Sequence, residues 1–487
     1  MGMESRLSEG AKDALRRRLG TDARALAVLR VSLALLILAD LGIRARDLTA
    51  FYTDAGVLPR ETQVELFAPA AFSLHTFSGS FVAQAFLFGV AAVFALALLV
   101  GYRTKLVLAV SLVLLLSLQA RNYYVLNAGD RLLRVTLFFC LFMPLGRRWS
   151  VDAHRKAGHG GHDDGVFSAG TAVFLLHAVL VYTANFFFKL HADGLWLTGD
   201  AVAHIMRMGR YTVFVGDYVA DYTVLHVATN WLWLTLLGVS VVLVLTTGRT
   251  RTAAVAAYAV AHVGMFLTMR LGLFPLIGVA VLLPFLPSGV WNALERRLPS
   301  VPPSVTERLD NYEKNPAGRS RAVGRLKRVA PAVAVFFLLF TAFWQVAALG
   351  YAPVPDSVGS DSEIDLSDHY SWSMFIVDST PQDRWYVAST TVGSDEVRMS
   401  LFAEVEGTDR PPDVSDTYPT ALWHRYMNSL RFAGETEDHA FADYLCRRAH
   451  EEYGEAVKEV SLDYVEQTAR PDGYGETERA EMLRMSC

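Results

Sequence analysis

Lys189 stands where a long apolar run, VFSAGTAVFLLHAVLVYTANFFFKL, gives way to the polar stretch KLHADGLWLTGD. The chain has seven lysines against 38 arginines, so arginine supplies its ordinary positive charge. An amine can give up its proton when desolvated and a guanidinium cannot. A lysine kept at the lip of an apolar run is therefore either an anchor that snorkels to the interface or a base held there at a cost. Other polar groups sit within or beside such runs. Arg30 and Asp40 share the first, ten positions apart, too far to pair on one helix, so each needs a partner from elsewhere. Asn122, Asn127, Asp130 and Arg131 cluster between the third and fourth. His177 lies in the middle of the fifth, and His262 in the middle of the seventh, with Arg270 at its end. Any one of these alone is most simply a structural pair between helices. Together they describe a polar chamber open to one face of a membrane. No glycine-rich phosphate loop, nucleophile elbow, HExxH zinc motif or basic nucleic-acid surface accompanies them. No metal is expected.

These groups must be positioned by the apolar runs themselves. The 487 residues are 52% hydrophobic, too apolar for an ordinary soluble protein. Nine runs approach the length of about 20 residues that a membrane helix needs: 25–45, 79–101, 104–120, 131–146, 167–189, 224–246, 252–269, 272–290 and 330–349. Charge alternates between them. One set of connections, with residues Arg16 to Arg18, Arg24, Arg103, Lys105, Arg147, Arg148, Arg249, Arg251 and the loop from Arg296 to Arg328, holds about 23 basic residues against about 10 on the other side. The N-terminus is then cytoplasmic, and nine spans place Lys189 and the C-terminal part outside. The N-terminus is polar for about 20 residues, so no cleavable signal peptide is expected.

Between the first two runs, FYTDAGVLPRETQVELFAPAAFSLHTF is too polar to span and too apolar for a free loop, as expected of a re-entrant or interfacial element over the outer mouth. GHGGHDD after His154 is better explained as a cytoplasmic loop than as a metal site. From Tyr351 onward 28 acidic residues face 11 basic ones, which suits a high-salt, halophilic setting. In this tail WYVASTTVGSDEVRMSLFAEV alternates about a polar turn and predicts a β-hairpin, LWHRYMNSLRF and HAFADYLCRRAHEEYG carry helical spacing, and VKEVSLDYVEQ predicts a strand. Trp372, Met374 and Phe375 of SWSMF are expected to touch the membrane part. Cys140, Cys446 and Cys487 form no framework of spacing, and a bridge between Cys446 and Cys487 is left open.

The order LRVSLALLILADL, FYTDAGVLPR, LVGYRTK, LQARNYYVLNAGDRLLR, WSVDA, FFFKLHADGLWLTGDAV and AHVGMFLTMRLGLFPLIGVAVLL, over about residues 20–295, resembles the vitamin K-dependent gamma-carboxylases and their prokaryotic relatives with a horizontally transferred transmembrane (HTTM) domain. In that family a lysine in a KL-x-AD-x-W-like stretch deprotonates vitamin K hydroquinone. Reaction with oxygen then yields a base that removes a γ-proton from glutamate, and carbon dioxide adds. Lys189 falls on that lysine, with Leu190, Ala192, Asp193, Trp196 and Gly199 matching its surroundings. His262 falls on a family histidine and Phe274 on the phenylalanine after it. The resemblance thus implies Lys189, Asp130, Asn127 and His262 as catalytic residues. It implies Asn122, Trp196, Asp193 and Phe274 at a reduced vitamin K or menaquinone-type cofactor. Animal members carry an asparagine–histidine pair before the fourth span, where this chain reads Asn127-Ala128-Gly129-Asp130, so Asn127 or Asp130 would substitute.

The expected architecture is an α-helical integral membrane protein with about nine transmembrane helices and a small C-terminal α+β extracytoplasmic domain. Its parts are a cytoplasmic segment at 1–24, a membrane domain at 25–290, a cytoplasmic linker at 291–329, a last membrane helix at 330–349 and an acidic outer domain at 350–487. The expected activity is a quinol-dependent carboxylase or epoxidase, of carbon-carbon lyase or oxygenase type. Its expected partners are membrane lipid and a glutamate-containing protein or peptide on the outer face, with no nucleic acid. The alternative is a non-catalytic membrane protein that binds quinone or lipid and engages a partner through its acidic domain. A transporter is disfavoured by the absence of an inverted repeat.

Overall fold

The computed structural model describes residues 2–155, 164–192, 194–297, 321–352, 371–374, 382–402, 410–470 and 473–487. Asp193, Phe375, most of GHGGHDD and the centre of the 291–329 linker lie outside the described residues. An exposed helix α1 (Gly2–Leu19) precedes α2 (Ala23–Ala45), then α3 (Phe81–Val100), α4 (Thr104–Arg121), α5 (Ala128–Cys140) and α6 (Ala169–His191). After short turns come α7 (Thr223–Gly238), α8 (Gly248–Thr268), α9 (Phe274–Leu282), α10 (Ser288–Glu295) and α11 (Arg321–Ala348). Local signals set their ends. Asp22, Ser80 and Ser168 each accept a backbone N–H at the start of α2, α3 and α6, and Ser168 with Thr171 completes a capping box.

A helix lies under each of the nine apolar runs, but they are unequal. Among the described residues five are long and apolar enough to cross a membrane: α2, α3, α4, α6 and the 329–348 part of α11. The eighth run bends by 102° between Phe274–Phe285 and Ser288–Glu295, and a sixth span results if this pair counts as one. The fourth run yields only the 13-residue α5, about 20 Å long, which stops before Pro144. The sixth run breaks after Gly238 and resumes as a single turn, Val242–Leu245. The seventh, α8, has the length, at 21 residues, but carries Gly, Thr, Arg and His among its apolar residues. Nine crossings were read from apolar length and alternating loop charge, which cannot tell a span from a short or broken helix that lines an interior.

Burial ranks the spans. Of the apolar window of α6, 67% is buried, against 22% for α3 and 17% for α11. α6 is central and α3 and α11 present their faces outward, as expected where the surroundings are lipid. The two ends of the bundle also differ. At one, Arg24 pairs with Asp22 and Glu295, Arg148 pairs with Asp164 and Glu295, and residues 21–22 pair with 165–166 as a short antiparallel ribbon. Lys189 is at the other end of α6. At that end the segment 46–80 forms short helical turns, not a span. Arg121 binds the carbonyls of Leu58 and Thr53 in this segment, while Phe72 and Phe77 stay 90% and 79% exposed.

The C-terminal part is α+β. Its strands β1 (Gln382–Val392), β2 (Asp395–Arg398), β3 (Val457–Arg470) and β4 (Gly473–Ser486) form an antiparallel sheet in the order β2-β1-β3-β4. The predicted hairpin is present, with Val392 opposite Asp395. Both predicted helices are present as α12 (Ala421–Leu430), which Thr420 caps, and α13 (Glu435–Tyr453). The predicted strand is β3. β4 was not anticipated, because GYGETERAEMLRMS is an exposed edge strand with too few apolar residues to show alternation. Cys446 of α13 and Cys487 are bridged, which answers the open pairing. α12 lies on the 123–125 turn, where Phe51 meets Trp423 at 5.0 Å and Tyr426 at 5.6 Å. One apolar core runs from the bundle into the C-terminal part.

Candidate functional site

α6 carries His177, Val181, Asn185 and Lys189 at four-residue intervals, hence on one slowly drifting face. Lys189 is 1% exposed. Its Nζ donates to the Met374 carbonyl at 2.7 Å and lies 4.0 Å above the Trp196 ring. An ammonium on an indole face is a favourable arrangement, stronger where it is desolvated as here. One turn earlier, Asn185 Nδ2 donates to the carbonyls of Trp372 and Met374, at 2.8 and 3.1 Å. Arg131 donates to the Ser371 carbonyl and covers the Trp372 ring, while Trp372 N–H donates to Gln345 of α11. The 371–374 loop is thus clamped on α6, which bears out the expected contact of Trp372 and Met374 with the membrane part.

Two cavities meet at this loop, and Phe274 and Met374 line both. The inner one, a narrow space, is walled by apolar and aromatic side chains with His177, Asn185 and His262 among them. His262 Nδ1 faces the Tyr258 carbonyl at 2.8 Å, so this nitrogen carries the hydrogen and Nε2 is left as an acceptor. The ring stands 5.6 Å from Trp233, 6.0 Å from Tyr182 and 6.3 Å from Phe274. It presses on Gly278, where a Cβ would lie 2.2 Å from Cδ2 and 2.4 Å from Nε2, so only glycine fits. His177 packs on Phe139 at 4.6 Å, and its Nε2 is buried with no hydrogen-bond partner among the described residues.

The outer cavity, about 900 Å³, lies between the start of α5, the 270–274 loop and α12. Asn127, Arg270, His424 and Arg425 are among its walls. Burial and the charges of Arg210, Arg270 and Arg425 push the His424 imidazole down to about 3, so it is neutral across the physiological range. Its Nε2 accepts from Asn428 Nδ2 at 3.0 Å. Arg425 donates to the Val125 carbonyl at 3.3 Å and pairs with Asp130 at 3.5 Å.

The candidate residues separate accordingly. Lys189 and Trp196 are in contact, and His262 and Phe274 share the inner cavity. Asn127 lines the outer cavity and also caps α5, where Oδ1 accepts from Gly129 N and Asp130 N. Asp130 completes that capping box and joins a buried ion network, since Arg44 bonds Asp130, Asp40 and the Tyr52 hydroxyl. Its carboxylate is committed to structure. Asn122 lines neither cavity; its amide bonds the Phe51 carbonyl and Tyr124 N–H. Arg30 binds the carbonyls of Leu145 and Arg148, whereas Asp40 finds Arg44 one turn along its own helix rather than a partner from elsewhere. Asn185 was missed, although its four-residue spacing from Lys189 was visible. Arg210, His424 and Arg425 were missed because nothing in their local sequence marks them.

The HTTM domain family model matches residues 19–290. The chain belongs to the HTTM domain family. The match covers the bundle that carries Lys189, His262 and Asn127 and stops before α11 and the C-terminal part. No curated protein and no solved structure matches the chain.

Proposed function

We propose that this HTTM protein is a quinol-dependent membrane enzyme of the vitamin K-dependent gamma-glutamyl carboxylase type, with Lys189 as its base. The observation that carries this reading is the setting of Lys189, a buried amine held by a carbonyl and an indole, one residue behind an apolar cavity that contains two imidazoles. A neutral amine keeps two hydrogens. It can therefore hold the Met374 carbonyl while its lone pair takes a proton.

The inner cavity suits a naphthoquinol of vitamin K or menaquinone type. Its walls are apolar and partly aromatic, and the buried Nε2 of His177 needs a polar partner. His177, His262 and Phe274 would hold such a ring. The bound quinol would supply, with oxygen, the strong base that glutamate carboxylation requires. The chain's own residues act around it: Lys189 accepts a proton, His262 offers Nε2 as an acceptor, and Asn127 faces the outer cavity where an acidic peptide would enter. Support for an extracytoplasmic C-terminal domain comes from the basic bias of the opposite loops and from the Cys446–Cys487 bridge, which belongs in an oxidising compartment. An odd number of crossings from a cytoplasmic N-terminus would be needed to put that domain outside.

The test uses the full-length protein with vitamin K hydroquinone, oxygen, labelled bicarbonate and a glutamate peptide. Lys189→Arg should fold and lose at least about 100-fold in quinol epoxidation and label incorporation. Epoxidation unchanged in that variant refutes the reading. The close packing of Lys189 also suits the second reading, a protein that binds quinone or lipid without turnover. In that case the wild type binds the quinol and forms no product.

A further inference from the structure

The outer cavity carries positive charge that its surroundings do not answer. Arg270 lies on its wall, and Arg210 lies beside it, with its guanidinium 4.9 Å from the ring of Tyr211, which lines the cavity. The two arginines are held on neighbouring backbone: Thr212 bridges Met269, and Arg270 N–H donates to the Tyr211 carbonyl at 2.8 Å. Among the described residues neither guanidinium has a carboxylate within ion-pair distance. Arg210 is 8% exposed, yet among the described residues its Nε and Nη1 make no hydrogen bond, and its Nη2 reaches only the Met208 sulfur at 3.7 Å. Arg270 spends Nη2 on Ser415 Oγ at 2.6 Å, and its Nε is buried without a partner.

Nearby acids are used elsewhere. Asp383 accepts from Gly209 N and Arg210 N and pairs with Arg410. Asp130 is shared between Arg44 and Arg425. Among the described residues no Asp or Glu lines the cavity. At its edge Gly272, with φ +62°, allows a close approach, for a Cβ there would stand 2.5 Å from Arg425 Nη2 and 3.8 Å from Asn127 Nδ2. A buried guanidinium with open N–H groups is costly unless an anion completes it. Arginine's fixed fork suits an oxyanion with two oxygens in one plane.

We propose that the outer cavity is an oxyanion-binding site in which Arg210 and Arg270 hold a carboxylate or phosphate group. The site does not depend on the quinol chemistry proposed for the inner cavity, and its ligand can be soluble or can be the headgroup of an anionic lipid.

The experiment follows thermal unfolding of the full-length protein in neutral detergent as phosphate or acetate is added, against chloride at equal ionic strength. A saturable rise in Tm is expected with at least one anion, and Arg210→Gln and Arg270→Gln should each weaken it at least tenfold. Arg484→Gln, on the exposed face of β4, should leave it unchanged. Phenylglyoxal labelling of the unmutated protein gives a second readout, in which the effective anion should protect Arg270. Full response in phosphatidylcholine nanodiscs assigns the site to a soluble anion. A raised Tm without further response in phosphatidylglycerol nanodiscs assigns it to lipid. The proposal is overturned if the wild type shows no saturable response to either anion and no stabilisation in phosphatidylglycerol, or if the stabilising anion or lipid leaves Arg270 labelling unchanged.

Discussion

The inner and outer cavities touch through Phe274 and Met374 and are built from opposite materials. The inner one is walled by the bundle, and among the described residues only Met374 of the 371–374 loop enters it from the C-terminal part. Its polar groups are imidazoles, an amide and the Thr136 hydroxyl among apolar and aromatic side chains. The outer one is made jointly by the bundle and α12, and its polar groups include guanidiniums. The inner walls exclude water and favour a flat apolar ligand, whereas the outer walls need a counter-charge to be stable. Lys189 sits between them through the carbonyl of Met374, so a change on either side reaches it through one loop.

The largest expected disruption strikes the buried ion network that reaches the outer cavity through Asp130 and Arg425. Arg44→Leu leaves Asp40 and Asp130 without their main partner and frees the Tyr52 hydroxyl. It should cost about 3–5 kcal/mol and disturb the outer cavity, as read by denaturant unfolding and by ligand binding. Wild-type stability in this variant would show that Arg425 alone can satisfy Asp130. Next, Cys446→Ser opens a bridge across 41 residues and should remove about 4 kcal/mol from the C-terminal part. Quinone binding by the bundle should persist, so its parallel loss would mean that the inner cavity depends on a folded outer wall.

A smaller and more local effect is expected of Gly278→Val. The added side chain drives His262 towards the inner cavity, and overpacking of this kind costs about 1–3 kcal/mol. Quinone affinity should fall by about tenfold to a hundredfold while the phosphate response of the outer cavity is kept; equal loss of both would erase the distinction. The smallest effect is on pH dependence. The buried His424 is held down to about 3 from an ordinary 6.5. As pH falls below 6.5 the unfolded chain binds the proton first, so stability declines through the window from 6.5 towards 3. His424→Gln should flatten the fall in Tm between pH 7 and 5, and an unchanged slope would assign that fall to other groups.

Much of the bundle was legible because apolar length and helical spacing are local properties. Lys189, His177 and His262 stood out as polar residues in apolar runs, and α12, α13 and the hairpin at Gly393 followed from short-range patterns. The strength of that signal was also its limit. α5 and the bent pair of α9 and α10 have apolar composition, but Pro144 and Pro287 interrupt them, and apolar composition does not reveal whether such a segment crosses or lines. Asn127 or Asp130 was expected to substitute for the family's asparagine–histidine pair, and their spacing is that of a capping box, which is the arrangement the backbone forms.

By itself the sequence determined the kind of molecule, an apolar helical bundle followed by an acidic α+β tail, because burial preference and charge are properties of each residue in turn. It also marked Lys189 as an amine out of place. Only the tertiary structure decided what surrounds that amine and what faces it. Arg425 reaches Val125 across 300 positions and Lys189 reaches Met374 across 185, and no local rule links residues so far apart. The two cavities exist because the chain returns after α11 to lay a loop and a helix on the bundle. Their contrasting walls result from which side chains that return leaves buried and which it leaves without a partner.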